Sequence, residues 1–544
     1  MDTDKRWWPK QFDSYFKPRG EKPEPVNSSA WKTSPTVQLT SGLAPYEPAL
    51  TFEDTQHLLR RAQFGSTVDR AQLHVGKTAS DLVDELIDAA LSAPLPEPPH
   101  WHNAYLPEDG QSEEVFDAYF RNNNQWGNQY ATDWFKAIYF DGLRERMALF
   151  WHDHFVTERE TYFFAPMMYQ YATLLRSRAL GNFKDFVLAI TLNPAMLVYL
   201  NGNQNVRQEP NENYARELLE LFTMGQYDAQ GNANYTQFDI IEFSRALTGY
   251  YVDYRDFSTQ WGQNRYDGGQ KVLFGETGQF NTQKAINHIF ETRAEQVAAF
   301  ICRKLYVEFV HNVPDEAFIQ ELAQVFINND FEIAPVMRAL LKSERFFDGA
   351  LRGARIKSPV AMLVNMLHQI NFELETPEPY EALYWKSSDL GQRLFQPPNV
   401  AGWKGYRNWI TTATLPSRWE LIEQLLQGDL TGYITSIVPI ARALIDTEDP
   451  HHVFKLPVAI AQHFMAVPVD NLGFEAPTVD FNGDLVTYPI PEDVMNGPAY
   501  VRDLAKIFLA GKPWYEWRLN TPGIIFLLLD YVQFLVELPE YQLT

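Results

Sequence analysis

Cysteine is all but missing from this sequence, with Cys302 alone among 544 residues. No intramolecular disulfide, cysteine-built zinc site or iron–sulfur cluster can therefore come from the chain by itself. In Ala-Ala-Phe-Ile-Cys-Arg-Lys-Leu, Cys302 reads as a small buried hydrophobe rather than a reactive thiol. Positive charge is the second shortage: 46 Lys and Arg face 69 Asp and Glu, for a formal charge of -23. Such a chain repels phosphate backbones and anionic lipid surfaces unless basic residues are concentrated somewhere. Its most basic short stretches are Lys5-Arg6 and Arg60-Arg61, so no nucleic-acid partner is expected. Long apolar runs are absent too. The most apolar segment, 524–536, is short and carries Asp530, and it reads as a buried helix rather than a membrane span of about 20 residues. The first ten residues lack the apolar stretch of a secretory signal. The expected compartment is the cytoplasm, or the periplasm or exterior if a signal was removed before this numbering or a partner is co-exported. No Gly-rich phosphate loop, Gly-x-Ser-x-Gly elbow or zincin motif is found.

Aromatic residues are what the chain has in quantity: 37 Phe, 27 Tyr and 14 Trp, a composition that builds cores and not disordered tails. The length calls for a large domain with appendages. Residues 1–50 are rich in Pro, Ser, Thr and Lys without periodicity and read as an extended N-terminal arm, pinned to the body by Trp7, Trp8, Phe12, Tyr15 and Phe16. Order is expected to begin with a capping box at Thr51 and Asp54, and the helix it opens should stop at Gly65. The Pro-rich 94–99 stretch should break the next helix, and the polar tract 121–125 reads as an exposed loop. Gly-rich turns around Lys271-Val-Leu-Phe274 and Gln279-Phe280 suggest a small β-hairpin. The fold class is thus mainly α: a multi-helix core over 51–425 with a hairpin insertion, then a helical C-terminal region over 426–544 interrupted near 466–493 by irregular or short-strand structure.

Five segments in order carry a resemblance. They are His57-Leu-Leu-Arg-Arg-Ala-Gln-Phe-Gly65, Leu143-Arg-Glu-Arg-Met-Ala-Leu-Phe-Trp-His-Asp-His-Phe155, Pro210-Asn-Glu-Asn-Tyr-Ala-Arg-Glu-Leu-Leu-Glu-Leu-Phe-Thr-Met-Gly225, Arg245-Ala-Leu-Thr-Gly249 and Pro397-Pro-Asn-Val-Ala-Gly-Trp403. Together they resemble a bacterial family known as domain of unknown function 1800, over roughly residues 51–425. The resemblance implies a mainly helical protein. It also implies a frequent genomic neighbour from domain of unknown function 1501, a family similar to alkaline-phosphatase-like enzymes, and it supplies no activity. The family's His-Asp-x-Gly-x-Lys loop is here Tyr266-Asp-Gly-Gly-Gln-Lys271, so a role for that histidine is not expected.

At about 100° of turn per residue, His154 shares a face with Leu143, Met147 and Phe150, while His152 points to the other side beside Glu145. In the 211–224 helix, Tyr214, Leu218, Leu221 and Phe222 form the apolar face, with Asn213, Arg216, Glu217 and Glu220 on its flank. These polar residues are either an exposed face stitched by ion pairs, each worth about 0.2–0.5 kcal/mol, or the wall of a cleft facing His154. In the second case His154, Arg216, Glu217 and Glu220 are the candidate catalytic set, because crowded carboxylates raise one another's pKa toward neutrality. A divalent cation on His154, Glu217 and Glu220 is the cofactor such a set would accept, although no recognised metal spacing is present. His57, Arg61, Asn213, Trp403 and Trp409 are candidate substrate-binding residues. Arg61 can fork onto a carboxylate or phosphate, though a buried pair with a carboxylate is the commoner arrangement. Trp403 and Trp409 suit sugar stacking if exposed in a groove, and otherwise pack their own loop.

Three functions follow as expectations. The first is a helical scaffold or accessory protein working beside an enzyme partner, of the phosphatase-like neighbouring family, on an envelope or extracellular polymer. The second is a hydrolase or metal-dependent enzyme centred on His154, Glu217 and Glu220. The third is a carbohydrate-binding protein using Trp403 and Trp409.

Overall fold

The capping box at Thr51 forms as the sequence predicts. The Thr51 hydroxyl accepts from the Asp54 amide, the Asp54 carboxylate accepts from the Thr51 amide, and the helix runs Phe52–Gln63. Its stop is shared by two residues: Phe64 takes the left-handed conformation, and Gly65 follows at φ +145°, where a Cβ would sit 2.7 Å from Asn365 Nδ2. The computed structural model describes residues 41–544 except 373–377, 431–434, 436, 447–448, 450, 479 and 521–522. The arm's tryptophans 7 and 8 and its aromatics 12, 15 and 16 lie outside the described residues. The described end of the arm does lie on the body: the Tyr46 amide donates to Lys342 O at 2.8 Å and the Arg345 guanidinium to Ser41 O at 3.0 Å.

Among the described residues the architecture is helical, with two small antiparallel hairpins. Strands β1 (Tyr250–Asp253) and β2 (Ser258–Trp261) pair Tyr250 with Trp261; β3 (Lys271–Leu273) and β4 (Glu276–Gly278) pair Lys271 with Gly278. Only the second was foreseen, and its return strand precedes the expected Gln279-Phe280 because the turn at Gly275 is tight. The 121–125 tract lies inside the 28-residue helix Glu113–Phe140, not in a loop. Asn123 is the reason: fully buried, it donates to Phe163 O and accepts from the Ala165 amide, stitching the helix to the next segment. Residues 466–493 hold a short 3-10 turn, Val469–Asn471, and no strand among the described residues.

Buried apolar side chains from Leu50 to Tyr541 form one continuous cluster. It crosses the expected boundary near residue 425. Arg60 donates to the Met465, Gln462 and His463 carbonyls at the end of helix His452–Phe464, and Lys357 donates to Tyr541 O at 2.8 Å. No described helix is long and apolar enough to cross a membrane, and Ile524–Glu537 packs one face inside. Cys302 is fully buried, and burial pushes its thiol pKa upward.

Candidate functional site

Four helical pieces and one loop bring the chain's polar groups together: α1 (Phe52–Gln63), α2 (Leu143–His154), α3 (Glu212–Glu217), α4 (Ala294–Phe309) and residues 352–357. Helix α3 does not continue as an α-helix. Leu218–Thr223 winds as a π-helix, closed by the Met224 amide on Leu219 O at 3.2 Å. That one-residue expansion rotates the apolar face, so Leu219 is fully buried alongside Leu218 and Phe222, and Leu221 is only half-buried. It also lets two carbonyls serve α2 and α4. Phe222 O accepts from His154 Nε2 at 3.0 Å, and Leu221 O accepts from Lys304 Nζ at 3.3 Å. π-turns of this kind recur at functional sites.

The tripeptide His152-Asp153-His154 works as a three-way clamp. His152 Nε2 accepts the Phe395 amide at 2.9 Å while Nδ1 contacts the Tyr171 hydroxyl at 3.0 Å. Asp153 accepts the Trp403 amide at 2.8 Å. His154 donates from Nε2 to the π-turn, and its Nδ1 receives Lys304 Nζ at 2.9 Å. Burial and the Lys304 charge hold the His154 pKa well below the ordinary value, so the ring is neutral. Both of its nitrogens are occupied. Burial raises the Asp153 carboxyl and lowers the Lys304 ammonium, and each charge partly offsets the other's shift.

The remaining candidates lie on α3 and the π-turn, where Arg216 and Glu220 are spent locally. Arg216 donates to Glu212 at 3.1 Å and to Gln237 at 3.1 Å, Glu220 accepts from the Tyr235 hydroxyl at 3.1 Å, and Asn213 is exposed. Glu217 is pushed up to about 7, first by burial and then by Glu220, with Arg216 opposing. This is the crowded-carboxylate effect that the sequence suggests. His154, Glu217 and Glu220 nevertheless do not assemble into a ligand set: among the described residues no group of three or more His, Cys, Asp or Glu converges to hold a metal ion. The reason is the occupation of His154 by Phe222 O and Lys304, which aims its ring at the π-turn backbone and not at the α3 carboxylates.

His57 donates from Nε2 to Phe346 O at 2.9 Å and lines a small pocket with Arg60, Arg352 and Gln462. Trp403 and Trp409 are only 8% and 9% exposed, so neither offers a face for sugar stacking. Trp403 sets its ring against His152, with centroids 5.6 Å apart. Gly402 explains the tight fold of this loop: at φ +78°, a Cβ would come within 2.2 Å of Asp153 Oδ1. The departing loop at 266–271 is closed on itself. Asp267 pairs with Arg245 at 2.8 Å, and Lys271 Nζ donates to Gly269 O at 2.9 Å over the Tyr266 ring.

Arg61 departs from its expectation. Among the described residues no carboxylate hydrogen-bonds it. At 2% exposure its one hydrogen bond runs from Nη2 to Val310 O at a long 3.4 Å, and Nε and Nη1 have no partner. Burial, Arg355 and Arg146 push its pKa well below the ordinary value, with Glu308 opposing. Beside it, Arg146 donates to Glu308 Oε1 at 2.6 Å and to Arg61 O at 3.2 Å, its guanidinium held between the Phe64 and Phe309 rings. Arg355 donates to Glu308 Oε2 at 2.8 Å and leaves Nη1 unpartnered. The two arginines hold the Glu308 pKa down to about 2 against the desolvation of its partly buried side chain. Arg146, Asp153, Lys304, Glu308 and Arg355 were not foreseen. The available signal was Lys304 and Glu308, four residues apart and so on one face of the Ala294–Phe309 helix.

The family model described as "Protein of unknown function (DUF1800)" matches residues 57–542, nearly the whole chain. No curated protein and no solved structure matches the chain.

Proposed function

The chain belongs to the DUF1800 family, and from that premise we propose that it is a helical scaffold or accessory protein acting beside an enzyme partner on an envelope or extracellular polymer. The phosphatase-like DUF1501 family is the proposed source of that partner. One observation carries this reading: the histidine best placed for chemistry, His154, spends both ring nitrogens on holding the π-turn and Lys304. A general base needs a free lone pair within about 3 Å of the proton it takes, and His154 has none. The clamp made by residues 152–154 joins the 395–403 loop, the π-turn and α4 at one point, which suits a rigid platform.

The test is co-expression of the full chain with a DUF1501 protein, followed by co-purification and an assay of each protein alone against p-nitrophenyl phosphate and p-nitrophenyl sulfate. The expected result is a stable complex with turnover only in the partner. A chain that purifies alone and hydrolyses either ester by itself overturns the proposal. The rival enzyme reading draws on Glu217, whose carboxyl pKa of about 7 suits proton transfer. Turnover by the isolated chain that is lost in Glu217→Gln would favour it.

A further inference from the structure

Among the described residues several ion pairs give each cation at least one carboxylate, as in Arg245 with Glu242 and Asp267, or Arg338 and Lys342 with Asp84 and Asp88. The group between α1, α2, α4 and residues 352–357 reverses that ratio. Arg146 and Arg355 share the carboxylate of Glu308, and Arg61 lies within electrostatic reach of all three without a carboxylate bonded to it. Farther along, Lys304 and Asp153 offset each other and leave that excess standing. A chain with a formal charge of -23 has gathered positive charge where desolvation makes it costly.

The donors are also unspent. Arg61 carries five N–H groups and makes one long hydrogen bond, while its Nε and Nη1, with Nη1 of Arg355, are buried without partners. Leaving such donors empty costs roughly 1–3 kcal/mol each, so a fold that retains them gains if an acceptor arrives. The setting is rigid, because Arg146 is fixed between two phenylalanine rings and two acceptors. The group comes nearest the surface at Glu308 and Arg355, whose side chains are 29% and 15% exposed, against 2% for Arg61. A second buried cationic group, Arg60, Lys357 and Arg418, is spent on backbone carbonyls: Arg60 donates to those of Gln462, His463 and Met465, Lys357 to Tyr541 O and Arg418 to Lys357 O.

We propose that Arg61, Arg146 and Arg355 form a binding pocket for one tetrahedral oxyanion, a phosphate or sulfate, either free or as the terminal group of a monoester. Guanidiniums contributed by three separate chain segments suit an anion with three or four acceptor oxygens better than a planar carboxylate, which two donors satisfy. Glu308 acts as the resident counter-anion that keeps Arg146 and Arg355 in place and competes with the ligand. The proposal does not rest on the accessory-protein reading, since binding is measured on the isolated chain.

The experiment is isothermal titration of the full chain with inorganic phosphate, sulfate, glucose 6-phosphate and acetate, with thermal melting in parallel. Saturable single-site binding of phosphate or sulfate is expected, with acetate at least about tenfold weaker. Tighter binding of glucose 6-phosphate than of inorganic phosphate would assign the monoester as the ligand, and the reverse would assign the free ion. Arg355→Gln, at the least buried of the three arginines, should keep the fold and weaken binding by about tenfold or more. Glu308→Gln should tighten binding, an outcome a merely structural carboxylate would not produce. No saturable heat with phosphate or sulfate overturns the proposal. So does equal binding of acetate, or unchanged affinity in a folded Arg355→Gln protein.

Discussion

Two ends of helix α2 use buried polar groups in opposite ways. At its C-terminus, His152 and His154 are fully partnered, and each bond ties down a different segment: Phe395 and Tyr171 for the first, the π-turn and Lys304 for the second. Two turns earlier on the same helix, Arg146 belongs to a group with more donors than acceptors, and Arg61 beside it is almost unbonded. A satisfied network behaves as a brace, whose removal costs stability. An unsatisfied one costs stability by being present, and its retention points to something outside the chain. The sign of the effect of a mutation on stability therefore separates the two.

The largest loss is expected for Arg146→Ala. It removes a bond to Glu308, a bond to Arg61 O and a cation stacked between two rings, and should cost about 3–5 kcal/mol in chemical denaturation. His154→Phe keeps the aromatic volume but strands Phe222 O and leaves the Lys304 ammonium with only Leu221 O of its two hydrogen-bond acceptors, so about 2–3 kcal/mol is expected. The comparison sharpens at Arg61→Met. Replacing a buried cation that lacks a hydrogen-bonded counter-ion with an apolar chain of similar length should leave stability unchanged or raise it by up to about 2 kcal/mol. A loss at Arg61→Met as large as that at His154→Phe would dissolve the distinction between brace and pocket.

These contrasts show why legibility was uneven. Local rules worked where the physics is local. Thr51 and Asp54 are three residues apart and cap as expected, the turn before β4 contains its glycine, and the 143–154 helix forms, although it is buried on every side, Glu145 and His152 included. They failed where a distant partner decides. Asn123 looks like a loop residue until Phe163 O and the Ala165 amide supply its bonds. The π-turn left no mark in the periodicity of residues 211–224, because an inserted residue becomes visible only when Phe222 O meets His154. The arginine group was least legible: Arg61, Arg146, Glu308 and Arg355 come from four separate segments, and nothing within one segment says that cations outnumber acids there. Asp153 was overlooked between two histidines because only the folded chain brings the Trp403 amide to it.

The smallest expected effect lies on α3 and depends on pH. Burial, with Glu220 adding to it, raises the Glu217 carboxyl from an ordinary 4.5 to about 7 in the folded protein. Between those values the folded chain holds a proton that the unfolded chain has released. Stability from this group is therefore fully present below about pH 4.5 and is lost as pH rises through about 7. Glu217→Gln mimics the protonated form and removes the dependence. The wild type should thus lose about 1–2 kcal/mol relative to Glu217→Gln between pH 5 and pH 8, after allowance for solvent screening at a half-buried side chain. Paired denaturation curves at the two pH values read this directly. Parallel pH profiles for the two proteins would mean that Arg216 and water already neutralise Glu217, and α3 would then belong with the braced end of α2, without a proton to give.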